Sequence, residues 1–172
     1  EDVISDYSIA NQAFEMVYFG LSASNSQRLY TYNLKNDASS CLIDLSKEIL
    51  RDVTLGEVQD WNFVSAQGDT IYGRFYLPPH FDATKKYPMI VNYYGGTTPT
   101  ARVMESRYPS HVYAGLGYIV YIIQPSGATG FGQEFSARHV NAWGKLTADE
   151  IIEGTKKFCA VSYTHLTLPT KA

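Results

Sequence analysis

The sequence predicts an α/β protein, the opening of an open α/β sheet preceded by a small β-meander. Three observations carry this. Two apolar runs, Met89 to Tyr94 (MIVNYY) and Tyr118 to Ile123 (YIVYII), have the composition of strands buried on both faces. Between them Tyr108, Val112 and Leu116 recur at i, i+4 and i+8, the stripe of a short helix. Farther on, Thr147-Ala148-Asp149-Glu150 fits a capping box, in which the threonine hydroxyl takes an orphan amide and the glutamate reaches back.

In chain order, the first elements are Met16 to Phe19, a polar turn at Ser22 to Gln27, and Arg28 to Leu34, whose tyrosines and threonine suit a half-buried pleated surface. A second turn, Lys35 to Ser40, leads to a brief strand at Cys41 to Asp44. Three short antiparallel strands are close to the minimum for independent stability, so this meander is expected to pack against something else. Val58 to Ser65 and Ile71 to Leu77 then read as two strands joined by a hairpin-length loop, Ala66 to Thr70, with a Gly-Asp turn signal.

Pro78-Pro79 ends the second of these, because proline cannot donate to a ladder, and Gly95-Gly96 breaks the MIVNYY run. Gly117 stands as the C-cap of the short helix, and Gln124-Pro125-Ser126-Gly127 ends the YIVYII strand. The last helix is expected to present Ile151, Ile152, Thr155, Phe158 and Cys159 inward and to pair Glu153 with Lys157 outward. Ligands of open α/β sheets bind at the carboxyl ends of strands, so the loops after Tyr94 and Gln124 are the ones to read for chemistry.

Composition narrows the function. The 172 residues are 45% hydrophobic, 14% aromatic and 18% charged, a globular profile. A net charge of −3 argues against a nucleic-acid platform, which would show a basic excess. Cys41 and Cys159 match no zinc, iron-sulfur or CxxC spacing, and the four histidines, His80, His111, His139 and His165, show no metal spacing. A lone histidine in a loop or on a helix is ordinarily structural or solvated. Neither a metal nor a cofactor is expected. No apolar run approaches the roughly 18 residues that cross a membrane, and no signal peptide opens the chain. The chain starts at Glu1 rather than methionine, so the beginning of a parent protein is expected to be missing.

A hydrolytic nucleophile in this fold class would sit on G-x-S-x-G, a strained strand-to-helix turn, and no serine here has that setting. Ser126 lies between Pro125 and Gly127 and reads as a loop serine. Gly127-Ala128-Thr129-Gly130-Phe131-Gly132 has the wrong glycine order for dinucleotide binding and reads as a tight backbone-shaping loop.

The order of LPP at Leu77 to Pro79, KYPMIV at Lys85 to Val91, NYYGG at Asn92 to Gly96, GYIVYIIQPSGATGFGQEF at Gly117 to Phe135 and ADEIIEG at Ala148 to Gly154 resembles the prolyl oligopeptidase (S9) family of serine peptidases. The branch it is most similar to is the bacterial dipeptidyl-peptidase IV-like enzymes. The resemblance covers roughly Val53 to Cys159. It implies a β-propeller preceding an α/β-hydrolase catalytic domain. On that reading residues 1–51 are the last strands of a propeller blade and 52–160 the N-terminal part of the hydrolase domain.

The resemblance also implies a tyrosine just after the third hydrolase strand whose hydroxyl helps to bind the oxyanion. Tyr94, followed by Gly95 and Gly96, is that tyrosine, with the glycines letting the backbone pass close to the substrate. Read from the residues alone, Tyr93 and Tyr94 fit equally well as β-favouring residues at a strand end. The nucleophile, Asp and His of the family have no counterpart here, because the chain stops before them. The chain itself is therefore expected to be inactive, a fragment of a post-proline, dipeptidyl-peptidase-like exopeptidase working by acyl transfer on peptide substrates.

Residues 161–172 do not look like the family's continuation. Val161 to Thr170 resembles the translation of a transposase-type sequencing adaptor, so this tail is expected to be non-native; the alternative is a real β-strand, given its propensity. Truncation there is expected to leave Tyr118 to Ile123 as a long apolar edge. A homodimer of the complete protein is left open, and a periplasmic or secreted location follows only by family analogy. Two readings from other classes remain, an α/β-hydrolase of another kind such as an esterase, and a non-catalytic peptide-binding module built on the 14 tyrosines.

Overall fold

The computed structural model describes residues 3–142 and 144–161. The chain folds as two compact units, one of residues 1–55 with 102–109, the other of 56–101 with 110–172. The adaptor-like tail expected from Val161 onward lies, after Val161 itself, outside the described residues.

In the first unit four antiparallel strands follow one another in order: β1 (Val3–Ile9), β2 (Glu15–Leu21), β3 (Arg28–Asn33) and β4 (Ala38–Asp44). The sequence reading had three. It missed β1 because every residue of that strand is exposed, so no alternation of buried and solvated positions marks it. A bulge between Ile4 and Asp6 further breaks its period. Tyr18 and Tyr30, directly opposite each other on β2 and β3, stack with centroids 5.0 Å apart. Arg28 and Asp44, paired across β3 and β4, form a 2.9 Å ion pair. A four-residue helix, α1 (Ser46–Ile49), follows.

Residues 102–109 belong to this unit because they hydrogen-bond to the turn between β2 and β3. The Met104 amide donates to the Ser22 carbonyl at 2.9 Å, and the Glu105 carboxylate accepts from the Ser26 hydroxyl and, at 3.3 Å, from the Gln27 amide.

The second unit is built on a mixed sheet of β5 (Val58–Asp60), β6 (Phe63–Val64), β7 (Thr70–Tyr76), β8 (Met89–Asn92) and β9 (Ile119–Gln124). Its spatial order is β5-β7-β9-β8, with β6 also on β7. The single strand expected over Val58 to Ser65 is thus interrupted. The Trp61 amide still bonds the Gly73 carbonyl at 2.9 Å, but Asn62 turns its side-chain oxygen onto the Gly73 amide at 3.0 Å, which breaks the ladder. The break frees Trp61 to pack edge-on against Tyr121 and Phe158.

β8 and β9 run parallel, joined through the short helix α2 (Ser110–Gly115). Gly117 ends α2 in a Schellman motif: its φ is +92°, its amide bonds the Ala114 carbonyl at 2.9 Å, and the Tyr118 amide reaches the Tyr113 carbonyl at 3.2 Å. The stripe expected to bury this helix is overturned. Tyr108, Val112 and Leu116 are all exposed, and Ser110 and Ala114 face inward instead. A helix this short sits on the sheet through small residues, which allow close approach.

β9 is buried along its whole length, with β7 antiparallel on one side and β8 parallel on the other. The expected exposed edge at Tyr118 to Ile123 is therefore a misplacement. Among the described residues the edges of this sheet are β5 and β8, because β9 inserts between β7 and β8, which precede it in sequence.

After α3 (Gln133–Ala137), the long helix α4 (Lys145–Ala160) packs over β9. Phe158 lies at the centre of this core, its ring 4.6 Å from Tyr121 and nearly parallel, 5.1 Å from Phe75 and 5.2 Å from Trp61. The buried positions are Thr147, Glu150, Ile151, Gly154, Thr155 and Phe158, one face at helical spacing. Two expectations change accordingly. Ile152 is exposed, and Thr147 with Glu150 lies inside the helix rather than capping its start, since Gly144 occupies the N-cap. The Glu153–Lys157 pair forms as expected, at 2.8 Å.

Replacing Phe158 by alanine is expected to cost about 3–5 kcal/mol in urea unfolding. Ile152→Ala, six residues earlier on the solvent side of the same helix, should stay within about 0.5 kcal/mol of the parent. Equal losses for the two would contradict this orientation of α4.

Candidate active-site loops

Because β8 and β9 are parallel, the loops that leave them emerge at the same end of the sheet. The first carries Tyr93 to Ala101, the second Pro125 to Gly132. β8 ends at Asn92, so Tyr93 and Tyr94 lie past the last strand residue, with 51% and 55% of their surface exposed. The Tyr94 hydroxyl makes no hydrogen bond among the described residues. Gly96 follows closely under the ring: a Cβ there would lie 2.7 Å from Tyr94 Cε1, too near for any side chain. Gly95 has open space where its Cβ would be.

The two loops are tied to each other. The Thr129 amide donates to the Thr97 carbonyl at 2.8 Å and the Thr129 hydroxyl to the same oxygen at 3.1 Å. Gln124, the last residue of β9 and fully buried, makes a matched pair with the Thr100 backbone. Its Nε2 donates to the Thr100 carbonyl at 2.6 Å, and its Oε1 accepts from the Thr100 amide at 2.9 Å.

The second loop is in turn held from beneath. Ser126 is buried and donates twice to the carboxylate of Glu150 on α4, from its amide at 2.7 Å and from its hydroxyl at 2.8 Å. The Gly127 amide bonds the Phe135 carbonyl at 2.8 Å, and Phe131 stacks on Tyr72 of β7 at 4.8 Å. Gly127, Gly130 and Gly132 all have φ near +100°, the left-handed region that glycine reaches without strain. The loop is backbone-shaping, as its glycine order implies.

Sequence reasoning placed Tyr94, Gly95 and Gly96 on the first loop but did not find Gln124, Thr100, Ser126 or Glu150 as the residues that hold it. A signal for Glu150 was present. At i+3 from Thr147 and one residue before Ile151, it falls on the buried stripe of α4, where a carboxylate needs a partner. Gln124 is likewise the only polar residue of a strand otherwise made of Ile, Val and Tyr.

Other features take no part in this site. A cavity of about 450 Å³ lies against Gln67, Asn141, Lys145 and Asp149 and includes none of the loop residues. Among the described residues no group of three or more His, Cys, Asp or Glu side chains is placed to hold a metal ion. No described helix is long and apolar enough to cross a membrane.

Burial pushes the Glu150 carboxyl above its ordinary value of 4.5; the two Ser126 hydrogen bonds oppose the rise, and Asp69 and Glu153 add to it. The folded state therefore holds this proton more tightly than the unfolded chain. Stability from this group is complete below the ordinary carboxylate range and falls as pH rises through the raised folded value. In urea unfolding from about pH 4 to about pH 8, Glu150→Gln should gain on the parent protein steadily as pH rises. Glu150→Ala, which strands the Ser126 amide, should cost about 1–3 kcal/mol at low pH. A constant difference between Glu150→Gln and parent across that range would remove Glu150 as the titrating group.

Residues 105–167 match the model of the prolyl oligopeptidase family. Curated relatives include a probable dipeptidyl-peptidase 5 from Aspergillus terreus, 34% identical over 95 residues, covering 55% of this chain and 12% of that protein. Human dipeptidyl peptidase 8 is 32% identical over 111 residues, covering 61% of this chain and 12% of the relative. The chain thus spans about an eighth of the length of these relatives. Among solved structures, an acylaminoacyl peptidase from Pyrococcus horikoshii superposes with a TM-score of 0.79 at 20% identity, over 94% of this chain and 25% of that one. Dipeptidyl peptidase 4 from Porphyromonas gingivalis gives 0.76 at 16% identity, over 93% and 23%. At such identities the structures show the fold: propeller-like antiparallel strands followed by the α/β sheet with which an α/β-hydrolase domain opens. Over these matched residues the chain is similar to the prolyl oligopeptidase (S9) family.

Proposed function

We propose that this chain supplies the first part of the catalytic domain of a serine exopeptidase that cuts peptides after proline by acyl transfer, with Tyr94 as an oxyanion donor. The observation that carries the reading is the position of Tyr94. It is an exposed phenol just beyond the carboxyl end of β8, on a loop tied to its neighbour by Thr129 and Gln124. The dipeptidyl peptidases among its relatives supply the substrate class.

In acyl transfer the carbonyl oxygen gains negative charge as the nucleophile adds. A phenol O–H already aimed at that oxygen strengthens as a donor when the charge develops, and it needs no reorganisation at the moment of reaction. Gly95 leaves open space beside its backbone, so an extended peptide can lie close there. None of the 172 residues forms a G-x-S-x-G elbow, so the nucleophile and the amide that follows it come from outside this sequence. Residues 1–51 then form the last strands of the propeller and 52–160 the start of the hydrolase domain.

The test is a dipeptidyl assay, with Gly-Pro-p-nitroanilide, on the complete reading frame. Tyr94→Phe should lower kcat by about 10²- to 10³-fold while KM changes little. Unchanged turnover would take Tyr94 out of the mechanism, and cleavage of p-nitrophenyl esters without any dipeptidyl activity would point to an esterase. The 172-residue chain alone should resist labelling by a fluorophosphonate probe.

A further inference from the structure

We infer that Gln124 is a positioning residue for Tyr94, setting the course of the loop that carries the phenol through its paired hydrogen bonds to Thr100. The inference rests on the reading of Tyr94 as an oxyanion donor.

The argument begins with where Gln124 lies. It closes a strand whose six residues are all buried, and its own exposure is 1%. A primary amide there must find both an acceptor and a donor, because each one left unmet costs roughly 1–3 kcal/mol. Thr100 offers both from its backbone, its carbonyl at 2.6 Å from Nε2 and its amide at 2.9 Å from Oε1. The pair has the form of a β-bridge in which a side chain replaces one strand. It continues the β9 ladder sideways onto a segment that has no strand of its own.

This anchor constrains Tyr94 because little chain separates them. Residues 93–96 run from the end of β8 to Thr97, whose carbonyl receives both the amide and the hydroxyl of Thr129. Thr100 is three residues farther on. Between β8 and α2 the chain otherwise runs from 93 to 109 without regular structure, long enough to sample many paths if left free. The clamp at Thr97 and Thr100 divides that run and leaves the part bearing Tyr94 a short span fastened at both ends.

A displacement of about 1 Å in a catalytic group can lower the rate by 10²-fold. Tyr94 itself touches nothing else that would hold its hydroxyl, so the loop path is what places it. An apolar residue of the same length at 124 would fill the volume and remove both bonds.

The experiment is a double-mutant cycle on the complete enzyme, assayed with Gly-Pro-p-nitroanilide, using Gln124→Met, Tyr94→Phe and both together. Gln124→Met alone should lower kcat by about 10- to 100-fold with KM within about twofold. In the Tyr94→Phe background the same change should cost less than about twofold, since the donor it positions is already gone. Equal losses in the two backgrounds, or no loss from Gln124→Met, would overturn the inference. Hydrogen exchange over residues 93–101 of the same proteins gives an independent reading: exchange should rise about tenfold in Gln124→Met, and unchanged exchange also overturns it. If Tyr94→Phe leaves kcat untouched, it is the oxyanion reading that fails, and exchange alone then decides whether Gln124 clamps the loop. Should Gln124→Met fail to fold, Thr129→Val removes only the exposed hydroxyl bond to Thr97 and should give a smaller loss with the same dependence on Tyr94.

Discussion

The second unit depends on the burial of β9. Six consecutive residues without solvent, laddered on both edges, leave no alternative register for this strand, since every neighbour must match it at once. The aromatic cluster of Tyr121, Phe158, Trp61 and Phe75 forms on one face of the β7–β9 pair because β9 brings Tyr121 there. Tyr121 carries a cost of its own, a buried hydroxyl with no hydrogen-bond partner, and burial pushes its pKa well up. The packing of its ring against Trp61 and Phe158 offsets that cost.

The same strand sets the geometry of the loops. Where β9 ends, its last two side-chain contacts change from apolar to polar: Gln124 grips Thr100, and Ser126, two residues on, is gripped by Glu150. Rigidity passes from the core into the loops through these few buried polar pairs. Such pairs contribute modestly when satisfied and cost much when broken, so they select one loop path over many nearby ones. The loop that carries Tyr94 is then held, while the phenol itself stays exposed.

Much of this architecture is legible in the residues. YIVYII announces a strand buried on both faces and Gly117 marks the end of α2, whereas MIVNYY, expected to be buried likewise, forms only the half-buried edge strand Met89–Asn92 with Tyr93 and Tyr94 exposed beyond it. What the sequence conceals has physical causes. β1 is exposed along both faces, so hydrophobic pattern says nothing of it, and only its ladder with β2 defines it. In α2, contact is made by Ser110 and Ala114 while larger residues point to water, the reverse of what an apolar stripe implies. Glu150 shows how one motif can mask another. The TADE tetrapeptide satisfies the capping pattern, yet Gly144 caps the helix and frees the glutamate to face inward. The site loops were legible by position and by family resemblance, whereas the clamp that holds them was not, because its donors and acceptors are largely backbone groups of Thr97 and Thr100.

The distribution of roles along the chain bears on how such a site is built. Ser126, the serine nearest in sequence to the loop glycines, spends its hydroxyl on Glu150 inside the core. A serine bound in that way has neither the exposure nor the neighbouring base that nucleophilic attack requires. The loop clamp closes within the stretch from β8 to α4, through Gln124, Ser126 and Thr129.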